Sequence, residues 1–240
     1  MGLDVEAQAR YAYLTGRLRA ILAPPARIIE LGAAPGDQIA QLADLGYRCE
    51  AVDIGQNSDG WSTSGEEGRM LQLLQDHGVE YHEWDLERTP YPLDDGKYDA
   101  VVYTEVFEHL RDYPVRSLEE ITRILRPGGY LFFSTPNAAS LMSRLRVLRG
   151  GSTYTAMPDW VGGVIHARHA REWLFSEIDE AMQIAGLEIV ERNSRHFHTE
   201  DSNRLRAGAK LMLDRLARVR PTLGPQILIV ARRPGGPPAE

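Results

Sequence analysis

Two acidic side chains and a histidine lie close together in the segment TEVFEHL, residues 104–110. If a strand ends at Glu105 and the next turn is helical, Glu105, Glu108 and His109 reach the same side of the chain. Carboxylates and an imidazole in this arrangement can act as a general base or bind a hard divalent cation. The segment therefore predicts catalysis or metal binding, against the alternative that each group makes only a structural hydrogen bond.

The segments around this motif alternate between strand-like and helix-like patterns, with RPGG (126–129) expected as a turn and 137–168 as irregular. Predicted strands cover residues 27–31, 47–54, 79–85, 98–104, 130–136, 187–193 and 226–233. Predicted helices cover residues 4–22, a segment ending at Ala43, 66–77, 116–125, 170–185 and 203–219. Such alternation predicts right-handed βαβ crossovers and a parallel sheet covered on both faces. Ligands bind such sheets beyond the carboxyl ends of the strands, so we expect the site there.

The turn ELGAAPGD, residues 30–37, follows the first predicted strand. Gly32 and Gly36 let the backbone approach a ligand closely and leave amide groups free to face it. Asp53 comes 21 residues after Gly32 at the end of the next strand, where a carboxylate can accept both hydroxyls of a ribose. The glycines alone would also fit a tight structural turn. The acid at this spacing favours a nucleotide or nucleoside site.

This turn resembles motif I of class I S-adenosylmethionine-dependent methyltransferases, acid-x-Gly-x-Gly-x-Gly, with Ala34 in place of the second glycine. The segments YDAVVYTEVFEHL and ILRPGGYLFFSTPN are similar to later motifs of that family. The resemblance implies an α/β, Rossmann-like fold with a seven-stranded, mostly parallel sheet, helices on both faces and an antiparallel last strand. It also implies S-adenosylmethionine as cofactor. The implied cofactor-binding residues are Glu30, Gly32, Ala34, Gly36, Asp53, Ile54, Asp85, Leu86 and Thr104.

Two of these acids also have simpler interpretations. Glu30 could cap the helix that follows the glycine turn, and Asp85 could form a turn in the polar loop behind it. Ala34 adds only a methyl group, so we expect an altered methionine pocket and a retained site.

The segment HAREWLFSEI, residues 169–178, resembles a segment common in the family, His-x-Arg-x-aromatic-x-x-x-Glu-aliphatic, which opens the helix after the substrate loop. With the E-x-x-E-H motif, it resembles two metal-dependent subfamilies, the ubiquinone-pathway O-methyltransferases and the enzymes that methylate the 2′-hydroxyl at small-RNA 3′ ends. The resemblance implies His109 and His169 as catalytic residues. It implies Glu105, Glu108, His109 and His169 as ligands of Mg²⁺ or Mn²⁺. His166 is the alternative to His169, and a histidine acting alone as base is the alternative to a metal.

We expect a single methyltransferase domain over residues 1–232, followed by a disordered tail, 233–240. Within it, residues 1–26 are expected to form a helical lid and 137–168 a substrate loop or lid. Residues 203–220 read as an inserted basic helix. An ordinary packed helix with a solvated arginine face is the favoured interpretation, with an anionic substrate, a phosphorylated carrier or a membrane surface as alternatives.

Composition narrows the class of function. The chain has 240 residues, is 43% hydrophobic and carries a net charge of −7, which fits a globular protein and argues against a nucleic-acid partner. A single cysteine, Cys49, and the lack of a signal or membrane-spanning pattern predict a cytoplasmic location. Peripheral membrane contact and a homodimer stay open.

The predicted function is O-methylation of a small-molecule hydroxyl, on a sugar, a phenol or a natural product. The alternatives are an RNA 2′-O-methyltransferase, a small-molecule N-methyltransferase and a catalytically silent cofactor-binding domain. A nicotinamide dehydrogenase is the least favoured, because the glycine spacing does not match its dinucleotide turn.

Overall fold

A computed structural model describes residues 5–54, 66–153, 169–197 and 204–235. Within these ranges, seven strands form one sheet in the order β3-β2-β1-β4-β5-β7-β6. The strands are β1 Arg27–Leu31, β2 Arg48–Asp53, β3 Glu80–Glu83, β4 Tyr98–Thr104, β5 Leu125–Pro136, β6 Glu188–Asn193 and β7 Gln226–Arg232. Strands β1 to β5 pair in parallel, and β7 runs antiparallel to both β5 and β6. The predicted fold class is confirmed.

Helices cover both faces of the sheet. They are α1 Val5–Ile21, α2 Asp37–Asp44, α3 Glu66–Asp76, α4 Val115–Ile124, α5 Leu141–Leu148, α6 Phe175–Ile184 and α7 Arg204–Val219. Neighbouring residues of a strand point to opposite faces, so Ile28 packs with α1, α2 and α3 while Ile29 packs with α4 and α6. Because both faces are covered, the carboxyl ends of the parallel strands are the open edge at which a ligand can approach.

The structure differs from the sequence-based expectation in three local elements. Residues 141–148 form α5 inside the segment expected to be irregular, because Ser140 caps the helix by accepting a hydrogen bond from the Ser143 amide at 3.1 Å. The RPGG segment belongs to β5, with a register shift opposite Tyr98 that Gly128 permits through its positive φ of 78°. Helix α6 begins only at Phe175, where the Glu177 side chain accepts the Leu174 amide.

Several expectations fall on residues outside the described ranges. The candidate ligand His166, residues 154–168 of the predicted substrate loop and residues 236–240 of the predicted tail lie there. They stay predictions.

Phe107 links the motif TEVFEHL to the core. Its side chain is fully buried, and its ring centroid lies 4.9 Å from that of Trp173, 5.5 Å from that of Phe133 and 6.4 Å from that of Tyr103. This packing holds the turn that carries the two acids and the histidine against β4 and β5.

We therefore expect Phe107→Ala to lower the free energy of unfolding by about 3–5 kcal/mol, through lost burial and a residual cavity. Ile184→Ala, at an exposed position of α6, is the control and should change it by less than about 0.5 kcal/mol. Urea unfolding followed by circular dichroism measures both. An equal, small effect of the two substitutions would show that Phe107 does not anchor the turn.

Candidate active site at the carboxyl ends of the strands

The glycine turn after β1 lies directly against the motif after β4. Gly32 has a φ of 73°, and its amide donates to the Val52 carbonyl at 2.8 Å. A Cβ atom added at Gly32 would overlap a methyl group of Val106. Gly36, with a φ of 92°, is the N-cap residue directly before α2. Glycine is thus required at position 32 both by the backbone angle and by the close approach of the two turns.

Asp53 joins the ends of β1 and β2. Its carboxylate is buried, and its two oxygens accept hydrogen bonds from the amides of Ala34 and Ile54, each at 2.8 Å. These bonds bring three of the predicted cofactor-binding residues together. Ala34 takes part through its backbone, so the methyl group that replaces the family's glycine hydrogen does not prevent this contact. A carboxylate oxygen can accept more than one hydrogen bond, so Asp53 retains capacity for ribose hydroxyls.

Glu30 is a buried acid beside Asp53. Burial, and next the charge of Asp53, raise the pKa of Glu30 well above its ordinary value, while an amide hydrogen bond from Ile39 in α2 acts in the opposite direction. One of its carboxyl oxygens, Oε2, has no hydrogen-bond partner among the described residues. Glu30 thus combines the contact to the following helix that a capping role requires with an oxygen that is still unpaired.

The remaining predicted cofactor residues are held by local contacts. Asp85 lies two residues beyond β3, where its Oδ1 accepts the Glu87 amide at 3.0 Å and its Oδ2 lies 3.4 Å from Arg88 Nε. This is the turn-forming arrangement that was the alternative for Asp85. Leu86 is buried in the core, and Thr104 is buried at the end of β4. The structure places these three near strand ends without bringing Asp85 into contact with the glycine turn.

The motif TEVFEHL forms a single turn and no helix. Strand β4 ends at Thr104, Glu105 has a positive φ of 55°, and the turn is closed by a bond from the His109 amide to the Val106 carbonyl at 2.9 Å. The positive φ turns the chain sharply directly after the strand, which a helical continuation would not do. The expectation that all three side chains share one helical side is therefore wrong.

Glu105 lies outside the group of donor atoms that the other three predicted ligands form, although its charge still acts on Glu108. Its Oε1 accepts the Ser134 hydroxyl at 2.6 Å. Its Oε2 lies 3.4 Å from the side-chain nitrogen of Gln226 and 3.7 Å from Arg10. Among the described residues, the carboxylate already has three partners, and it does not belong to the cluster that the other predicted metal ligands form.

Glu108, His109 and His169 form that cluster, which we call the three-ligand cluster. One donor atom from each lies within 4.8 Å of the others, and the two imidazole ring centroids are 5.1 Å apart. The Glu108 side chain is only 1% exposed, and its Oε2 accepts the Thr135 hydroxyl at 2.9 Å. Its Oε1 makes no hydrogen bond within the described structure and lies 4.0 Å from His109 Nε2.

Two further contacts shape the three-ligand cluster. The Glu108 carbonyl accepts the amides of Ala170 and Arg171 at 2.7 and 3.2 Å, which docks the segment that carries His169. The Nδ1 atom of His169 lies 3.3 Å from Glu172 Oε1. Burial, and next the charge of Glu105, raise the pKa of Glu108 well above its ordinary value. A buried carboxyl with an unpaired oxygen and two imidazoles suits a hard divalent cation.

Arg10 and Gln226 are site residues that sequence reasoning missed. Arg10 comes from α1, and its Nε is buried without a partner among the described residues. Gln226 begins β7, is buried, and keeps an unpaired Oε1. No periodicity signals either one, although a final strand antiparallel to β5 must begin at the edge where β5 ends, which would have drawn attention to position 226.

The two tyrosines of α1, Tyr11 and Tyr13, have different surroundings. Tyr11 is buried, and its pKa is raised to about 12, by burial first and by the charge of Glu30 next. Tyr13 instead packs on Phe197 at 5.9 Å between ring centroids, under the guanidinium of Arg195. Helix α1 therefore presents Arg10 and Tyr11 towards the acids of the site and uses Tyr13 for anchoring.

Comparisons with known proteins identify the family of this chain. A family model described as a methyltransferase domain matches residues 4–192. A ubiquinone biosynthesis O-methyltransferase of Burkholderia thailandensis is 26% identical over 175 residues, which cover 73% of this chain and 70% of the relative. The span matched by the family model contains the stretch from Glu30 to His169.

Solved structures share the fold. An S-adenosylmethionine-dependent methyltransferase from Mesorhizobium loti superposes with a TM-score of 0.63 at 18% identity, covering 96% of this chain and all of the other. A 1,6-didemethyltoxoflavin-N1-methyltransferase of Burkholderia thailandensis, with bound S-adenosylhomocysteine, gives a TM-score of 0.58 at 16% identity, covering 96% and 79%. At these identities the likeness establishes the fold.

The seven-stranded, mostly parallel sheet with its flanking helices is the fold of class I S-adenosylmethionine-dependent methyltransferases. The family match goes one step further: this chain belongs to the methyltransferase-domain family and is an S-adenosylmethionine-dependent methyltransferase.

Among the described residues, no helix is both long and apolar enough to cross a membrane.

The contact between Gly32 and Val106 yields a direct test of the cofactor turn. Gly32→Ala adds both a clash and an unfavourable positive φ, so we expect it to lower the affinity for S-adenosylhomocysteine by roughly tenfold or more, equivalent to about 1.4 kcal/mol. Gly78→Ala is the matched control, since Gly78 has a φ of 67° and nothing within 4 Å of an added Cβ.

The control should cost about 1–2 kcal/mol of stability and leave cofactor affinity unchanged. Isothermal titration of the folded variants measures the affinities. Wild-type affinity in Gly32→Ala would contradict the assignment of this turn to the cofactor.

Proposed function

We propose that this methyltransferase transfers its methyl group to a hydroxyl of a small molecule, such as a sugar, a phenol or a natural product. We further propose that Glu108, His109 and His169 hold a divalent cation, Mg²⁺ or Mn²⁺, that assists the reaction. One observation carries the second proposal. The buried Glu108 carboxyl keeps one oxygen, Oε1, without a hydrogen bond and close to two imidazoles, and a buried charged oxygen in this state is costly unless a proton or a cation neutralises it.

The cofactor would be held by groups already gathered at the strand ends. The backbone between Gly32 and Gly36 leaves room for close approach, and Asp53 has acceptor capacity for the ribose hydroxyls. Arg10 is the cationic side chain at this edge that lies beside Glu105, and we assign it to the carboxylate of the methionine moiety. Asp85 and Leu86 would face the adenine, as the resemblance implies.

Transfer of a methyl group from a sulfonium is an in-line displacement, so the chain must orient the acceptor and accept its proton. A bound divalent cation would lower the pKa of an acceptor hydroxyl. The contact of His169 Nδ1 with Glu172 orients the imidazole and leaves its Nε2 available. Without a cation, the same Nε2, or the imidazole of His109, would accept the proton as a general base.

The three-ligand cluster favours a hydroxyl acceptor over a nitrogen acceptor. An amine with a free lone pair needs neither a base nor a cation, so a buried acid beside two histidines would have no purpose there. The similarity to an O-methyltransferase of ubiquinone biosynthesis supports the same choice. The net charge of −7 disfavours RNA as the acceptor. With a single cysteine, a reducing compartment fits, and we propose the cytoplasm.

The decisive experiment supplies S-adenosylmethionine with a radiolabelled methyl group to the purified protein and two acceptor pools, a small-metabolite extract and total RNA. We expect label in small metabolites that disappears with EDTA and returns with Mg²⁺ or Mn²⁺. A His109→Ala, His169→Ala double variant is the control for contaminating activity.

Each other outcome has a definite meaning. Methyl transfer that is unaffected by EDTA would exclude a role for the cation. The remaining explanations would be a histidine acting as base or a nitrogen acceptor. Label in RNA would replace the small-molecule proposal by the 2′-O-methyltransferase alternative. Cofactor binding without label in either pool would contradict the proposed reaction and support a silent domain.

A further inference from the structure

Two neighbouring residues of β5 hold the two acids of the TEVFEHL turn on opposite faces of the sheet. Side chains alternate along a strand, so Ser134 points to the face covered by α1 and Thr135 to the face covered by α4 and α6. The Ser134 hydroxyl donates to Glu105 at 2.6 Å, and the Thr135 hydroxyl donates to Glu108 at 2.9 Å. Glu105 accordingly lies towards α1, where Arg10 is 3.7 Å from its Oε2. The carboxyl edge therefore carries a second polar group, distinct from the three-ligand cluster.

Gln226 completes this second group from β7. It is the first residue of that strand and pairs with Pro136, the last residue of β5. The chain directly before it is bound to β5, because Asn137 donates its backbone amide to the Pro225 carbonyl at 2.8 Å and its side-chain amide to the Gly224 carbonyl at 2.7 Å. The position of Gln226 at this edge is thus fixed by the fold, as a recognition group requires.

Glu105 sets the orientation of the Gln226 side-chain amide. The Nε2 atom of Gln226 lies 3.4 Å from Glu105 Oε2. A carboxylate only accepts hydrogen bonds, so the NH2 group must face it, since the flipped amide would place two acceptor oxygens together. The other amide atom, Oε1, is buried and makes no hydrogen bond within the described part of the chain. The whole side chain is 7% exposed, and a buried carbonyl oxygen without a donor is costly.

The fold does not need this amide. Glu105 keeps the Ser134 hydroxyl and Arg10 as partners whether or not position 226 carries a donor. An apolar side chain there would remove the unpaired oxygen and leave the acid with both of those contacts. The cost of Gln226 Oε1 is therefore not offset by packing within the described structure, which points to a ligand that supplies the missing donor.

The strand order decides which ligand reaches this oxygen. The groups proposed for the cofactor lie at the ends of β1 and β2, the TEVFEHL turn follows β4, and β5 and β7 come beyond it. At about 4.8 Å between neighbouring strands, the ends of β1 and β7 are roughly 14 Å apart. A ligand group at Gln226 therefore lies across the TEVFEHL turn from the glycine turn, on the side from which a methyl acceptor would approach the cofactor.

We propose that Gln226 is a specificity-determining residue whose Oε1 accepts a hydrogen bond from an O–H or N–H group of the methyl acceptor other than the reacting hydroxyl. The inference rests on the proposed transfer to a small-molecule hydroxyl and adds a group that this molecule must carry. A molecule without the second donor leaves the oxygen unpaired in the complex, and a site of this kind discriminates strongly against such molecules. The acceptor is thus bound at two points, by the three-ligand cluster and by Gln226.

The test is affinity selection of a small-metabolite extract on the full chain saturated with S-adenosylhomocysteine, with the retained compounds identified and titrated by mass spectrometry. Gln226→Met and Gln226→Leu keep a side chain of similar size and remove the amide oxygen. Glu105 retains its other partners in both variants, and the second substitution keeps the test decisive if the first does not fold. Gln183→Met, at an exposed position of α6, is the matched control.

We expect the compounds that the wild type retains to bind the two Gln226 variants with an apparent dissociation constant raised roughly tenfold or more, the effect of one lost hydrogen bond to a buried group. Gln183→Met should match the wild type, and all four proteins should bind S-adenosylhomocysteine equally. In methyl transfer from radiolabelled S-adenosylmethionine, the Gln226 variants should need correspondingly more extract for the half-maximal rate, with little change in the maximal rate.

Three results would overturn the proposal: unchanged retention by the Gln226 variants, no compound retained by the wild type, or an equal loss of affinity for S-adenosylhomocysteine. The last result would assign the amide to the cofactor or to the fold. The proposed function is judged separately. Retention that depends on Gln226 without methyl transfer would contradict the proposed reaction and support this inference, and methyl transfer with retention independent of Gln226 would do the reverse.

Discussion

The architecture of the site depends on the burial of one carboxyl group, that of Glu108. One of its oxygens is satisfied by Thr135, and the other has no hydrogen-bond partner among the described residues. A buried acid in this state is destabilising unless a proton or a positive charge compensates it. Two contacts nevertheless hold Glu108 in this position. The neighbouring Phe107 is packed among aromatic rings, and the backbone carbonyl of Glu108 accepts hydrogen bonds from the segment that carries His169. A buried carboxyl that the fold retains despite this energetic cost is typical of a functional residue.

The sheet determines which other groups reach this carboxyl. Parallel pairing of β1, β2, β4 and β5 places the ends of four strands at one edge, and the antiparallel β7 starts at the same edge with Gln226. The contact between Gly32 and Val106 then holds the glycine turn against the turn of the three-ligand cluster. The groups proposed for the cofactor and those proposed for the acceptor therefore lie in two turns that are packed against each other.

Much of the fold could be predicted from the sequence, because strands and helices follow from the periodic spacing of apolar residues over short segments. Strand Tyr98–Thr104 has the predicted bounds, and its nearly continuous burial fits a run of apolar β-formers in a central parallel strand. The acids at the strand ends lie where an α/β sheet requires them. The conformation after Glu105 could not be predicted in this way, since a positive φ at a non-glycine residue is imposed by tertiary contacts, here those of Ser134 and Arg10. The role of Arg10 could not be predicted for a related reason: this residue reaches the site only because helix α1 packs against the sheet.

The most direct test of the central claim is a measurement of Mn²⁺ binding by the metal-stripped protein with S-adenosylhomocysteine present, following free Mn²⁺ by electron paramagnetic resonance. Glu108→Gln preserves the shape of the side chain and removes its charge, and Glu119→Gln makes the same change at an exposed position of α4. The account predicts one bound ion in the wild type and in Glu119→Gln, and its loss in Glu108→Gln. Equal binding by all three proteins, or none by the wild type, would contradict the assignment of a cation to Glu108, His109 and His169.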